Sequence, residues 1–127
     1  MRTLVDTQSY YWSLCDPGRL SATATEALQC QSRIKILSVA SFWEMAIKNA
    51  LGKLTLPKRI ERLWQEAETA DIAVSPIRPR HLARLAALPH HHRDPFDRLM
   101  IAQTLEEDWE VISSDNEWDA YGVTRIW

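Results

Sequence analysis

Four acidic residues stand where strands should end or helices should begin, and they are spread along the whole chain: Asp6, Glu44, Asp97 and Asp115. Asp6 follows the apolar Leu4-Val5. Glu44 lies in the helix expected after Ile34–Val39, and Asp115 follows Val111-Ile112-Ser113. Asp97 falls in the first turn of a helix that Asp94-Pro95 starts. In an open parallel sheet the carboxyl ends of the strands share one edge, and ligands bind there where the strand order reverses. Carboxylates delivered to that edge from four remote segments form one cluster. Like charges raise one another's pKa, so such a cluster does not stay fully ionised without a cation. A hard divalent metal is the natural occupant, and phosphoryl transfer the natural chemistry.

Each of these residues also has a plain structural use. Asp6 is a good N-cap for the helix that follows it. Glu44 with Lys48 four residues on is the favourable order for an exposed helical ion pair. Asp94 reads as the N-cap of the later helix with Pro95 at its first position, and Asp97 suits a first turn through the helix dipole. Two carboxylates three residues apart repel, however, which leaves Asp97 free to face a site. Asp115 in Ser113-Ser114-Asp115-Asn116 fits a turn or cap, and Ser113 is placed to orient it.

The elements that would position these residues alternate between strand and helix. Strands are expected over 2–6, 34–38, 72–76, 109–113 and 123–127. Helices are expected over 7–15, from the Ser21 cap to about Gln31, around Trp43–Leu51 with Gly52 as its terminator, and over 58–70, 79–87 and 95–107. Trp43, Ala46, Ile47, Ala50 and Leu51 fall at helical spacing and read as one inward apolar stripe. Strands separated by helices imply right-handed crossovers and a parallel sheet. The expected fold is a three-layer α/β/α sandwich formed by one domain over residues 1–127.

Composition narrows the function classes. The chain has 127 residues, 46% hydrophobic and 25% charged, which is ordinary globular usage. Six tryptophans imply large aromatic burial. Net charge is −2, yet Lys48–Arg98 holds ten Lys/Arg against six Asp/Glu. A basic middle beside an acidic pocket suits a phosphate backbone, and equally suits solvated helix faces. Cys15 and Cys30 match no metal or redox spacing and read as free thiols. The chain reaches Asp6 without a leader-like apolar run, and nowhere is an uncharged apolar run long enough to span a bilayer. A cytoplasmic protein without a membrane association is the expectation. Gly18, Gly52 and Gly122 are the only glycines, so a phosphate-cradling glycine loop is excluded. Asp6-Thr7-Gln8 lacks the glycine of an aspartic-protease motif. His90-His91-His92 cannot all meet one tetrahedral zinc from a loop; a solvated loop, or one histidine on a phosphate, fits better.

Taken together, these segments resemble the PIN-domain ribonucleases, specifically the VapC-like toxins of type II toxin–antitoxin systems. The resemblance is carried by Leu4-Val5-Asp6-Thr7 with Trp12, by Ser38–Lys48 and Leu51–Pro57, by Leu88–Gln103, and by Ser113-Ser114-Asp115, Tyr121-Gly122-Val123 and Ile126-Trp127. The blocks Trp43-Glu44-Met45-Ala46-Ile47-Lys48 and His92-Arg93-Asp94-Pro95-Phe96-Asp97-Arg98 are its specific parts. Gln8 stands where a histidine is frequent, and Ser113 where a threonine is. Neither change removes a carboxylate.

The resemblance implies an Mg2+- or Mn2+-dependent endoribonuclease whose catalytic quartet is Asp6, Glu44, Asp97 and Asp115. Asp6, Asp97 and Asp115 would be the metal ligands. Lys48, Arg93, Arg98 and Ser113 are the candidate substrate contacts. It also implies a homodimer and a cognate antitoxin that covers the acidic pocket, with Trp64, Trp109 and Trp118 as aromatic residues for core or interface. Two other readings stand beside it. A phosphoacceptor receiver-like domain would want an acidic pair after the first strand and a lysine after the last, neither of which is found. A catalytically silent PIN-like scaffold that binds RNA or protein is opposed by the intact quartet.

Overall fold

The computed structural model describes Met1–Trp127. Five parallel strands form one sheet: β1 (Arg2–Val5), β2 (Ile34–Ser38), β3 (Ala73–Ser75), β4 (Glu110–Ile112) and β5 (Arg125–Ile126), in the spatial order β3-β2-β1-β4-β5. The chain builds outward from β1 through β2 to β3. It then crosses back to β4 on the other side of β1. The order therefore reverses between β1 and β4, and their carboxyl ends open the crevice in which α/β proteins place ligands.

Both faces of the sheet are covered, so its strands carry apolar side chains on both sides. Val5, Leu37 and Ile112 pack into one cluster with Tyr10 of α1 (Thr7–Cys15), Ala24 and Ala27 of α2 (Ala22–Gln29), Phe42 and Met45 of α3 (Val39–Ala50), and Leu63 and Ala67 of α4 (Ile60–Thr69). Their neighbours Leu4, Ile36 and Val111 point the other way. There they meet Leu88, Trp118 and the buried Leu99, Met100 and Ile101 of α6 (Pro95–Glu107), with α5 (Pro79–Ala86) packed beside it. This period-two alternation generates three layers from short strands.

Local signals set the ends of the elements. Asp6, Ser21, Ser38 and Asp94 accept hydrogen bonds from the first-turn N–H groups of α1, α2, α3 and α6. These bonds satisfy donors that a helix leaves unpaired. Gly52, just beyond α3, has φ +71°, the left-handed conformation a side chain would strain. The expected element order holds, with ends displaced by a residue or two except at α3, which begins at Val39, four residues before Trp43. The sequence reading did not anticipate a 3₁₀ turn over Asn116–Tyr121.

The inward face of α3 is a correction. Trp43, Ile47 and Leu51 are exposed, with Trp43 at 54%, while Ala40, Ser41, Phe42, Glu44 and Met45 are buried. Apolar residues at helical spacing occur on both sides of α3, and sheet contact selects the side that also carries Glu44. The tryptophans named for core or interface pack against the core. Trp118 is fully buried, and Trp64 and Trp109 lie half-buried against the cores. The exposed tryptophan is Trp43, edge-on to Phe96 with ring centroids 5.0 Å apart.

Candidate active site

Each of the four acidic residues arrives at the carboxyl edge of the sheet by a different route. Asp6 ends β1 and caps α1, accepting from the Ser9 N–H at 2.8 Å. Capping and pocket roles coincide, because a helix that starts at a strand's end starts at the crevice. Glu44 comes from the second turn of α3, after β2. Asp97 sits in the first turn of α6, beside Asp94, whose Oδ1 accepts from the N–H groups of Phe96 (2.8 Å) and Asp97 (3.0 Å). Asp115 follows β4 and caps the 3₁₀ turn through the Glu117 N–H at 3.0 Å.

These residues line one cleft of about 280 Å³ together with Asp94, Thr7, Gln8, Tyr11, Trp12, Lys48, Leu54 and Ser114. It contains five carboxylates and one basic side chain. Asp6 and Glu44 are only 4% and 6% exposed. Burial pushes the Asp6 carboxyl above its ordinary range, and the Asp115 charge adds to this, while Ser113 and Ser9 pull it down. Burial and then the charges of Asp94, Asp6, Glu44 and Asp115 push Asp97 up to about 8. Lys48 donates to Glu44 Oε2 at 2.6 Å. Burial acts to lower the Lys48 pKa, but the Glu44 hydrogen bond and the surrounding carboxylates outweigh it and raise it.

The donor set fits a hard divalent cation. Glu44 Oε1 is buried and has no hydrogen-bond partner, an uncompensated acceptor of a kind that proteins otherwise avoid. Oxygen ligands from several carboxylates, in a cleft with no arginine in its lining, suit a hard divalent cation. The raised Asp97 expresses the same shortage of positive charge.

The other candidate contacts separate. Lys48 lines the cleft. Arg98 does not: it is buried, and its guanidinium donates to the carbonyls of Pro89 (2.9 Å) and Leu88 (3.2 Å). It braces the loop before α6 rather than waiting for substrate. Successive helix residues are turned by about 100°, so the neighbour of an inward Asp97 faces elsewhere. Arg93 is exposed and outside the cleft lining. Ser113 is fully buried, and its Oγ accepts from the Asp115 N–H at 3.1 Å, so it orients an acid instead of meeting solvent. Much of the basic middle is tied up in local ion pairs, Lys58 and Arg62 with Glu66, Arg80 with Glu107 and Arg84 with Glu106. The solvated-face reading holds for these residues.

Two residues outside the expected site set join the cluster, and one of them, His92, departs from the solvated loop expected for His90-His91-His92. His92, 7% exposed, places Nε2 2.6 Å from Asp115 Oδ2, 3.4 Å from Asp97 and 3.6 Å from Glu117. One ligand atom each from His92, Asp115 and Glu117 lies within 4.8 Å of the others. Nothing local distinguishes His92 from the two histidines before it.

The family model described as PIN domain matches residues 3–123. A curated relative, Ribonuclease VapC22 of Mycobacterium tuberculosis, is 26% identical over 113 residues, covering 88% of this chain and 85% of its own. The fold is shared with VapBC2 from Rickettsia felis, solved bound to a DNA fragment from their promoter, at a TM-score of 0.71 and 9% identity over 98% of this chain and 97% of that one. It is shared too with VapBC-1 from nontypeable Haemophilus influenzae, at 0.65 and 14% over 98% and 96%.

Proposed function

Because the chain belongs to the PIN-domain family and is VapC-like within it, we propose that it is a divalent-metal-dependent endoribonuclease, the toxin of a toxin–antitoxin pair. The observation that carries this reading is the convergence of Asp6, Glu44, Asp97 and Asp115 on one cleft with a single lysine for company.

Asp6, Asp97 and Asp115 are the residues that would hold Mg2+ or Mn2+. The bound cation supplies Lewis acidity toward the scissile phosphate and lowers the pKa of an attacking water. Glu44 Oε1, buried and unpartnered, would be the acceptor for that water's proton once the cation is bound. Its other oxygen is held by Lys48, which fixes the carboxylate and sets a positive charge beside the phosphate. Ser113 steadies Asp115 from behind. Tyr11 and Trp12 form the aromatic wall of the cleft, a surface on which bases of single-stranded RNA stack irrespective of sequence. Tyr11 is fixed by donating to the Thr55 carbonyl at 2.8 Å.

The partners of this reading are an RNA, a cognate antitoxin and a second copy of the chain. Relatives named as VapBC assemblies support the antitoxin. Exposed Trp43, Ile47 and Leu51 offer apolar surface for a protein partner. Free Cys15 and Cys30 suit the reducing cytoplasm, and no helix is long and apolar enough to cross a membrane.

The test is end-mapping of total RNA treated with purified protein and Mg2+ or Mn2+, with and without EDTA. New 5′ and 3′ ends should appear only with metal and vanish for Asp6→Asn and Asp97→Asn. Cleavage by both folded variants at the wild-type rate would sink the proposal.

A further inference from the structure

The His90-His91-His92 segment is held from behind by two remote side chains. The Tyr121 hydroxyl accepts from the backbone N–H groups of His91 (2.9 Å) and His92 (2.8 Å) and donates to the Pro89 carbonyl (2.8 Å). Arg98 holds the carbonyls of Leu88 and Pro89. Braced in this way, the three imidazoles separate. His90 is exposed, His91 lies edge-on to Tyr121 with ring centroids 5.2 Å apart, and His92 turns inward and is buried.

The two ring nitrogens of His92 have different partners, and one of them fixes the tautomer. Nδ1 lies 3.1 Å from the backbone nitrogen of Asp94, which can only donate. Nδ1 is therefore the acceptor, and the ring proton sits on Nε2. That N–H points at Asp115 Oδ2, 2.6 Å away. The alternative, His92 as a metal ligand through Nε2, needs that nitrogen bare and the proton on Nδ1. A proton on Nδ1 would face the Asp94 N–H, donor against donor. The His92–Asp115–Glu117 grouping is thus a hydrogen-bonded support and not a ligand set.

We propose that His92 is a positioning residue: its Nε2–H fixes the Asp115 carboxylate in the orientation that serves the cation cleft, and its Nδ1 ties that arrangement to the start of α6 through Asp94. The inference rests on the nuclease reading for its consequence, since Asp115 is useful there as a metal ligand. Imidazole takes no part in bond making. It also gives the three histidines separate duties, with only the last coupled to the site.

Glutamine and asparagine divide the two arms of the ring. In His92→Gln the amide nitrogen falls where Nε2 was, so the Asp115 arm survives. In His92→Asn the amide oxygen falls where Nδ1 was, so only the Asp94 arm survives. Mn2+ binding to the RNA-free protein, read by loss of the free-ion EPR signal, measures the cleft without catalysis. His92→Ala and His92→Asn should weaken Mn2+ binding roughly 10- to 100-fold, as loss of a partner to a ligand does. His92→Gln should stay within about 3-fold of wild type on the same principle, as should His90→Ala. Rescue by Asn instead of Gln would assign His92 to holding the loop and overturn the proposal. So would undiminished binding by folded His92→Ala. Long-range 1H–15N spectra of the imidazoles decide the tautomer independently of any metal: a proton on Nε2 is expected, and one on Nδ1 overturns the assignment. Wild-type protein that fails to bind Mn2+ would count against the nuclease reading, while the spectra would still test the His92–Asp115 contact.

Discussion

At the amino edge of the sheet a half-buried carboxylate has an arginine; at the carboxyl edge five carboxylates line a cleft with one lysine. Glu110, which opens β4, pairs with Arg33 just before β2, and Arg33 also donates to Thr3 Oγ1 at 2.8 Å. Asp6, Glu44, Asp94, Asp97 and Asp115 line a cleft in which Lys48 is the one basic residue, with the His92 ring placed behind Asp115. The chain has fifteen Lys and Arg, so scarcity of cations does not explain the difference. One edge is neutralised within the chain and serves the fold. The other is left acidic, and its compensation has to come from outside. Perturbed carboxylates gathered in a cleft mark a working site for this reason.

The sharpest way to break that contrast is to neutralise one acid at each edge. Asp97→Asn should lower RNA cleavage by about 100-fold or more, the scale for loss of a group that stabilises reaction charge. It should also make the metal-free protein more stable near pH 8, by roughly 2 kcal/mol, because it removes a buried carboxylate crowded by four others. Glu110→Gln should do the opposite. It strands Arg33, whose side chain is 23% exposed, and should cost about 1–3 kcal/mol, less than for a fully buried pair because water still reaches it. Cleavage per folded molecule should not change. Urea unfolding in EDTA and initial cleavage rates in Mg2+ measure both variants. A stabilised Glu110→Gln or a destabilised Asp97→Asn would erase the distinction between the edges.

A gentler probe uses pH. The Asp97 carboxyl is raised to about 8 in the folded chain against 3.8 for an ordinary aspartate. The folded state therefore holds this proton more tightly than the unfolded state does. Its stabilising contribution is complete below about pH 4 and is lost as pH rises through 8. Between pH 5 and 8 in EDTA the melting temperature should fall, with Asp6, raised mainly by burial, adding in the same direction. Asp97→Asn should flatten the slope. Millimolar Mg2+ or Mn2+ should raise the melting temperature most at the alkaline end, where the proton competes least with the cation. A wild-type slope that is flat in EDTA would mean that the cleft is not short of positive charge.

How much of this was legible in the sequence divides along a physical line. Strand runs, the caps Ser21 and Asp94 and the Gly52 terminator are local features, read within a few residues, and they located the elements. The quartet was legible because a parallel sheet sends every strand's end to one edge, so chain position implied convergence. Orientation about a helix axis was not legible. Trp43, Ile47 and Leu51 form as regular a stripe as the buried face does, and only contact with the sheet, made by Phe42 and Met45, decides between them. Arg98 looked available for substrate because it adjoins Asp97, yet one helical step turns it toward the Leu88 and Pro89 carbonyls. His92 was hidden for a related reason. Which of three consecutive histidines turns inward is set by Tyr121 and Arg98, residues that no local pattern connects to the loop.

The smallest expected effect concerns one hydroxyl at each edge. Thr3 Oγ1 accepts from Arg33 at the amino edge, and Ser113 Oγ accepts from the Asp115 N–H at the carboxyl edge. Both residues are fully buried, so packing differs little between them and chemistry is what separates them. Thr3→Val keeps the shape and removes the acceptor, which should cost about 1 kcal/mol, while Glu110 still holds the arginine. Cleavage should not change. Ser113→Ala should cost a similar amount of stability, because it leaves a backbone N–H without its partner. It should also lower cleavage roughly 10-fold, since the lost contact supports a metal-binding carboxylate. Two substitutions matched in stability but unequal in rate would locate the function at one edge more convincingly than loss of a carboxylate can, because neither removes a charge. Equal rates for the two variants would show that Asp115 needs no support from Ser113 and would confine the asymmetry to the acids themselves.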